Sequence, residues 1–483
     1  MDLAKNKFFL LFTAFAAGAC MMVLELTASR VLAPSFGSGI YVWGSLIGVI
    51  MAALALGYYL GGVMADKSSE RILFKNLIAC AIIVSIIPAV GDLVAKLSTI
   101  GGLILGPIVS TVILFALPMT LLATTSPIVI KHSTNRLSEL GLSAGTVYAV
   151  STAGSIIGTF ATAFVLIPAA GSRMTLILTA VILFLLGIAG VQKMKYFMVV
   201  VFLLPGLLYR LPVEKGVIYQ TESEYNVIKV LDEPDYRILK LNLDYGIQSK
   251  VGKNDILTGG YWDYHSIGPL LTKTDRILWL GMCVGTSPRQ LVHFYNVTVD
   301  AVEIDPKVVE VAKEYFGLNE SDRIRVHVSD GRDYLRISGA YDIINVDVFS
   351  GGFDIPFHMA TREFFQEAKD HMTEDGVLMM NTLAIKNDER VSSAVSYTLK
   401  QVFPSVFIVK IDENRMLLAF KKEKGIDEVK NSLKAYDPKL SQIVNNTVAN
   451  VREFNSDEGV ILTDDKSNLD ELTFEVVSKA YEI

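Results

Sequence analysis

Charge is what this sequence has least of. Only 19% of its 483 residues are Asp, Glu, Lys or Arg, and the mean hydropathy is +0.41. That is too apolar for an ordinary soluble chain, so a membrane protein is the first expectation. The scarcity is uneven. Residues 1–210 hold few acids or bases, whereas residues 211–483 have a normal soluble composition, with the boundary expected near Leu211-Pro212. The formal net charge is −6, and the lack of a basic stripe argues against nucleic acid as a partner. The three cysteines, Cys20, Cys80 and Cys283, form no CxxC pair, which argues against a disulfide framework or a zinc site. The six histidines form no HxxxH or HExxH pair, so no metal is expected. The full GxGxxG turn is also absent, which makes a dehydrogenase a distant reading.

What is present in the first half is long apolar runs. Six stretches, 8–29, 41–64, 72–94, 103–123, 144–167 and 174–191, suit a bilayer, which takes ~20 helical residues to cross. No small-residue cleavage site follows the first, so it does not read as a signal peptide. Lys5 and Lys7, then Lys67, Arg71 and Lys75, then Lys131 and Arg136, then Lys193 and Lys195 fall consistently on one side. The positive-inside rule makes that side cytoplasmic. A seventh stretch, 196–208, is short and contains Pro205 and Gly206; if it does not cross, the polar half is cytoplasmic too. The expected location is therefore the cell membrane, multi-pass, with the lipid bilayer as a partner. Gly44/Gly48, Gly57/Gly61 and Gly154/Gly158 are spaced for close helix packing. Residues 57–67 resemble the loop between the second and third helices of major-facilitator transporters, although one such half does not make a transporter. Glu25, inside the first stretch, is either functional or paired with Arg30.

The second half changes pattern. Residues 227–231 and 237–241 alternate apolar and polar around Asp232-Glu233-Pro234-Asp235, a hairpin signature. Strands are then expected at 277–281, 297–303, 324–328, 341–347 and 376–381, with a late pair at 405–410 and 415–420, alternating with helices. That is the layout of a doubly wound sheet. The first of these strands ends in a glycine-bearing turn, and the second ends in Glu303, about 20 residues on, as a ribose-binding acid does in a nucleotide fold. The expected fold is multidomain: an α-helical transmembrane bundle (1–210), a small antiparallel β domain (211–265), and a Rossmann-like α/β domain of the S-adenosylmethionine-dependent transferase type (266–483).

The soluble half resembles spermidine synthase and related polyamine aminopropyltransferases over roughly residues 215–420, in what looks like a membrane-anchored branch. The resemblance rests on several segments taken in order. They are 243–248, Tyr264-His265, 281–289, Val302-Glu303-Ile304-Asp305-Pro306, Asp330-Gly331-Arg332-Asp333-Tyr334 and 341–347, with 347–356 and 462–465 fitting the membrane branch. It implies decarboxylated S-adenosylmethionine, or S-adenosylmethionine, as co-substrate. Gly281 and Gly285 would let the backbone approach its amino-acid end. Glu303, with Asp305 beyond it, would bind the ribose, and Asp330-Gly331 would contact the adenine. Gln248, Tyr264 and His265 would lie near the propylamine donor and the amine acceptor, with Asp464 as a further substrate contact. Asp347 would be the catalytic aspartate.

Two departures stand out. The soluble enzymes carry a glycine-rich turn with an acid where this chain has Met282-Cys283-Val284. They carry a second acid and a proline where it has Ser350-Gly351. Partners implied are a small cationic amine or a membrane-delivered substrate, with a homodimer left open. The competing readings are methyl transfer or other sulfonium chemistry on the same fold, and a non-catalytic transporter or sensor that binds a polyamine or nucleoside.

Overall fold

In a computed structural model, residues 3–37, 39–134, 136–191, 215–242, 246–350, 354–434 and 437–481 are described. The seventh apolar stretch, Lys193 and Lys195, the expected boundary at Leu211-Pro212, residues 243–245 of the Gln248 motif, and Gly351 lie outside them. The chain divides into two compact units: Met1–Glu214 with Glu222–Glu224, and the remainder, Lys215–Thr221 with Tyr225–Ile483.

The first unit is helical because its runs are long and apolar, and the helices continue through Pro34, Pro88 and Pro107. Helix α1 (Lys7–Phe36) starts at Asn6, whose side chain accepts the amides of Phe8 and Phe9. It is followed by α2 (Ile40–Lys67) and α3 (Arg71–Ser98). Helices α4 (Gly102–Thr111), α5 (Leu117–Ala123) and α6 (Thr125–Ser133) form one further apolar run. Next come α7 (Leu140–Ala161) and α8 (Ile167–Val191). Five helical stretches among the described residues are long and apolar enough to cross a membrane, and the fifth, at 55 residues, is long enough for two crossings. That fifth stretch, Leu137–Val191, contains the last two expected spans, and its backbone breaks between them where Gly171 takes φ +76°.

Helix packing explains two of the three glycine pairs. A side chain at Gly57 or Gly61 would collide with the α5–α6 backbone at Thr120 and Thr124, and one at Gly154 or Gly158 with α1 at Phe15 and Ala19. At Gly44 and Gly48 an added Cβ would have nothing within 4 Å, so among the described residues no neighbour packs closely there. Glu25 is half-buried in α1.

The second unit opens with a four-stranded sheet, β1 (Val217–Glu222), β2 (Val227–Asp232), β3 (Tyr236–Leu241) and β4 (Ser249–Gly252), in that order. A second sheet of eight strands follows: β5 (Arg276–Leu280), β6 (Thr298–Glu303), β7 (Ile324–Val328), β8 (Tyr341–Val346), β9 (Met372–Leu383), β10 (Ser405–Ile411), β11 (Asn414–Phe420) and β12 (Val451–Glu453). Its order is β12-β10-β11-β9-β8-β5-β6-β7. β5 to β9 pair in parallel, and β9, β11, β10 and β12 are antiparallel neighbours. Strands buried on both faces need continuous apolar runs; Ile277-Leu278-Trp279-Leu280 is such a run, and every one of its residues is buried.

The chain reverses direction across the sheet between β5 and β8. Open α/β sheets bind ligands in the crevice at the carboxyl ends of the strands beside such a reversal. The turn at 281–285, Glu303, Asp330 and Asp347 all follow or end strands at that edge.

Candidate active site

The turn after β5 brings backbone close to the site. Gly281 takes φ +84° and Gly285 φ +76°, a region that costs other residues about 1–2 kcal/mol. A Cβ at Gly281 would collide with the carbonyl oxygen of Asp347, and one at Gly285 would lie 2.8 Å from Leu318 Cδ1. Both positions therefore require glycine. Cys283 takes φ +54° without being glycine, and its amide donates to Glu303 at 2.8 Å. Arg289, unanticipated from sequence, clamps the turn from the following helix, Thr286–Phe294. Its guanidinium donates to the carbonyls of Gly285, Val284 and Phe316 at 3.1, 2.9 and 2.7 Å.

Glu303 closes β6. It accepts the amides of Cys283 and, at 3.1 Å, Asp305. Burial pushes its carboxyl up to about 7, against the pull of those amides. Asp305 plays a different part. It is fully buried, caps the helix Pro306–Phe316 through the Lys307 amide, and accepts Asn226 Nδ2 at 2.9 Å. Its oxygens are spent on structure, so Glu303 is the acid at the edge.

Asp330 uses one oxygen to cap the helix Gly331–Ile337, accepting the amides of Arg332 and Asp333 at 2.8 and 3.1 Å. The other oxygen lies 3.3 Å from His358 Nε2, and that contact holds the Asp330 carboxyl below its usual range. Gly331 leaves room for Met359, whose Cε would be 3.0 Å from an added Cβ. Ile304, Val328 and Phe357 expose apolar surface, Ile304 directly after Glu303 and Val328 two residues before Asp330.

Asp347 follows β8 and is nearly buried, its side chain 7% exposed. Asn381 Nδ2 donates to its Oδ1 at 3.0 Å and the Tyr261 hydroxyl to its Oδ2 at 3.3 Å. Burial raises its carboxyl to about 6 although both hydrogen bonds favour the charged form. A carboxylate in that range is a base matched to neutral pH. His265 Nε2 stands 3.9 Å from the same Oδ2, and burial lowers that imidazole to about 4. The 3-10 helix carrying Tyr261 and His265, Tyr261–Ile267, is anchored by buried Asp263. That carboxylate accepts Thr258, Gly259 and Gln290 Nε2.

The expected substrate residues divide. His265 stands beside Asp347 without a hydrogen bond to it. The tyrosine that bonds Asp347 is Tyr261, whereas the Tyr264 hydroxyl turns to Asn446 Nδ2 at 3.2 Å. Gln248 spends its side-chain oxygen on the Leu241 amide. Asp464 is engaged by Arg332, whose two terminal nitrogens donate to its two oxygens at 2.8 Å each, and by the Thr361 hydroxyl at 2.7 Å. It ties residues 462–466 to the sheet's flank. Tyr261, Asn345 and Asn381 escaped sequence reasoning. For the two asparagines the available signal was a lone amide inside an otherwise apolar strand segment.

The carboxyl edge of a doubly wound sheet thus carries three acids at successive strand ends, Glu303, Asp330 and Asp347. Residues 264–456 match the spermine/spermidine synthase domain. A Bifidobacterium longum protein described as a probable polyamine aminopropyl transferase is 35% identical over 223 residues, covering 44% of this chain and 49% of that protein. A polyamine aminopropyltransferase of Vibrio vulnificus is 32% identical over 220 residues, covering 43% of this chain and 72% of that protein. The mouse eEF1A lysine and N-terminal methyltransferase is 36% identical over 130 residues, 25% of this chain and 18% of that protein. The chain thus spans about half the length of the first relative and most of the second. It belongs to the spermine/spermidine synthase family.

Proposed function

We propose that this protein is a membrane-anchored aminopropyltransferase that uses decarboxylated S-adenosylmethionine and an amine acceptor. One observation carries the reading: a buried carboxylate raised to about 6, Asp347, stands at the same sheet edge as Glu303 and Asp330. The donor supplies a sulfonium carbon. Glu303 keeps lone pairs for a ribose diol, Asp330 has one oxygen contacted by His358, and Ile304 and Val328 offer apolar walls for a base. These groups fit an adenosyl moiety.

The acceptor must attack as a neutral amine, yet an alkylamine is protonated at pH 7. Asp347 takes that proton. The nitrogen lone pair then forms the new C–N bond as the C–S pair leaves on sulfur, giving a thioether and an alkylated amine. Tyr261 and Asn381 hold the carboxylate in place, and alignment supplies the larger share, since effective molarity is worth roughly 7–11 kcal/mol.

The first unit acts as the bilayer anchor, with the second on the cytoplasmic side where the basic loops lie. Cysteines engineered at exposed positions after residue 215 should resist a membrane-impermeant label in intact cells; efficient labelling would reverse the orientation. The ligand reading is tested on the full-length protein by thermal shift. Decarboxylated S-adenosylmethionine and methylthioadenosine should raise the Tm and NAD should not. Silence toward every adenosyl sulfonium and thioether would end the proposal.

A further inference from the structure

β8 has a run of apolar residues that Asn345 interrupts. Asn345 is fully buried, and so is His265. Burying an amide and an imidazole together costs free energy unless they pair. They do: Asn345 Oδ1 lies 2.9 Å from His265 Nδ1. With the Asn345 oxygen toward the ring, and its Nδ2 left without a partner among the described residues, the proton belongs on Nδ1, which leaves a lone pair on Nε2. That Nε2 has no hydrogen-bond partner among the described residues and stands 3.9 Å from Asp347 Oδ2. The Trp279 ring meets the imidazole edge-on at 4.6 Å and limits its rotation.

We propose that Asn345 is a positioning residue that fixes His265 as the Nδ1–H tautomer, so that Nε2 and Asp347 Oδ2 form a two-acceptor cradle for one nitrogen bearing at least two hydrogens. Two acceptors 3.9 Å apart can each reach a single donor atom at an ordinary hydrogen-bond length of about 2.8–3.0 Å. A primary amine satisfies both, keeping one N–H on His265 while the other proton passes to Asp347. A donor with one hydrogen leaves one buried acceptor orphaned, so the cradle discriminates against it. The inference rests on the proposed function for the identity of that nitrogen, whereas the tautomer rests on the orientation of the Asn345 amide. The titratable groups that face the pair are Tyr261, Asp347 and Cys283. Burial keeps the imidazole neutral through the working range.

The test has two arms on the full-length protein. Nitrogen-15 NMR of histidine-labelled wild type should show the buried imidazole protonated at Nδ1. A signal from Nε2–H would overturn the proposal whether or not any transfer activity is found. In the second arm, Asn345→Leu frees the ring to adopt Nε2–H, which points a donor at the Asp347 carboxylate and favours its charged form. The acidic limb of kcat/KM should move down by about one pH unit, and KM for a primary amine should rise about tenfold with donor affinity unchanged. A limb and an amine KM identical to wild type would show that Asn345 only packs. Absence of transfer by the wild type would sink the proposed function and leave the NMR arm to decide the tautomer.

Discussion

Asn381, near the end of β9, donates its side-chain amide to Asp347 at 3.0 Å, joining the tips of two neighbouring parallel strands through the carboxylate that burial has raised to about 6. The bond favours the charged form, so it sets the pH at which the base is available. Turnover should fall below pH about 6 as Asp347 takes up a proton. Asn381→Leu removes a stabiliser of the carboxylate and should shift that limb upward. Asp347→Asn should abolish the limb and cut turnover by roughly 10²–10⁴ with cofactor affinity retained. A pH–rate series on the three proteins checks all of this, and wild-type turnover in Asp347→Asn would reduce the residue to a turn element.

Glu303 makes cofactor affinity pH-dependent. Its carboxyl sits at about 7, and a ribose diol donates hydrogen bonds to the ionised form. Protonation therefore opposes binding, and affinity should weaken about tenfold between pH 8 and pH 6 by linkage. Glu303→Ala should bind more than tenfold more weakly, as expected from losing charge-assisted hydrogen bonds at ~1.5–3 kcal/mol each, and should lose this pH dependence. Calorimetry at the two pH values with methylthioadenosine decides it; a flat wild-type response would remove Glu303 from the pocket.

Gly281→Ala should be among the most damaging single-methyl changes in the second unit. The added Cβ meets the Asp347 carbonyl, a backbone atom that no rotamer change can move aside, and φ +84° is strained for alanine. Loss of turnover of at least roughly 10², with the purified protein still folded by circular dichroism, is the expected result.

Asp464 provides the converse case. Its oxygens are held by Arg332 and Thr361. Asp464→Asn should lower the Tm by a few degrees, the scale of a lost ion pair in a domain of this size, and leave KM for the amine unchanged. A selective rise in that KM would return Asp464 to the substrate site.

Much of this was legible in the sequence because strands and their tips announce themselves. The apolar run 277–280 ending in glycine, and the acids closing or following β6, β7 and β8, set out the sheet and its edge before any contact was known. What stayed hidden depends on rotamers and partners. Nothing in Tyr261-Trp262-Asp263-Tyr264-His265 tells which tyrosine reaches Asp347; that follows from Tyr264 finding Asn446 instead. Asp305 and Asp464 look like site acids in one dimension, and only their occupied oxygens assign them to a helix cap and an ion pair. In the helical half, spacing predicted packing at Gly57, Gly61, Gly154 and Gly158, yet the same spacing at Gly44 and Gly48 faces no neighbour among the described residues. A small-residue interval states what packing is permitted and not whether a partner is there.

The most direct measurement is product analysis by mass spectrometry on the full-length protein in lipid. It would be supplied in parallel with decarboxylated S-adenosylmethionine and with S-adenosylmethionine, each with a panel of primary amines. The account predicts methylthioadenosine released in equal amount with an amine heavier by one aminopropyl group, from the decarboxylated donor, and abolished by Asp347→Asn. S-adenosylhomocysteine with a methylated product, or release of neither thioether from either donor, would contradict it.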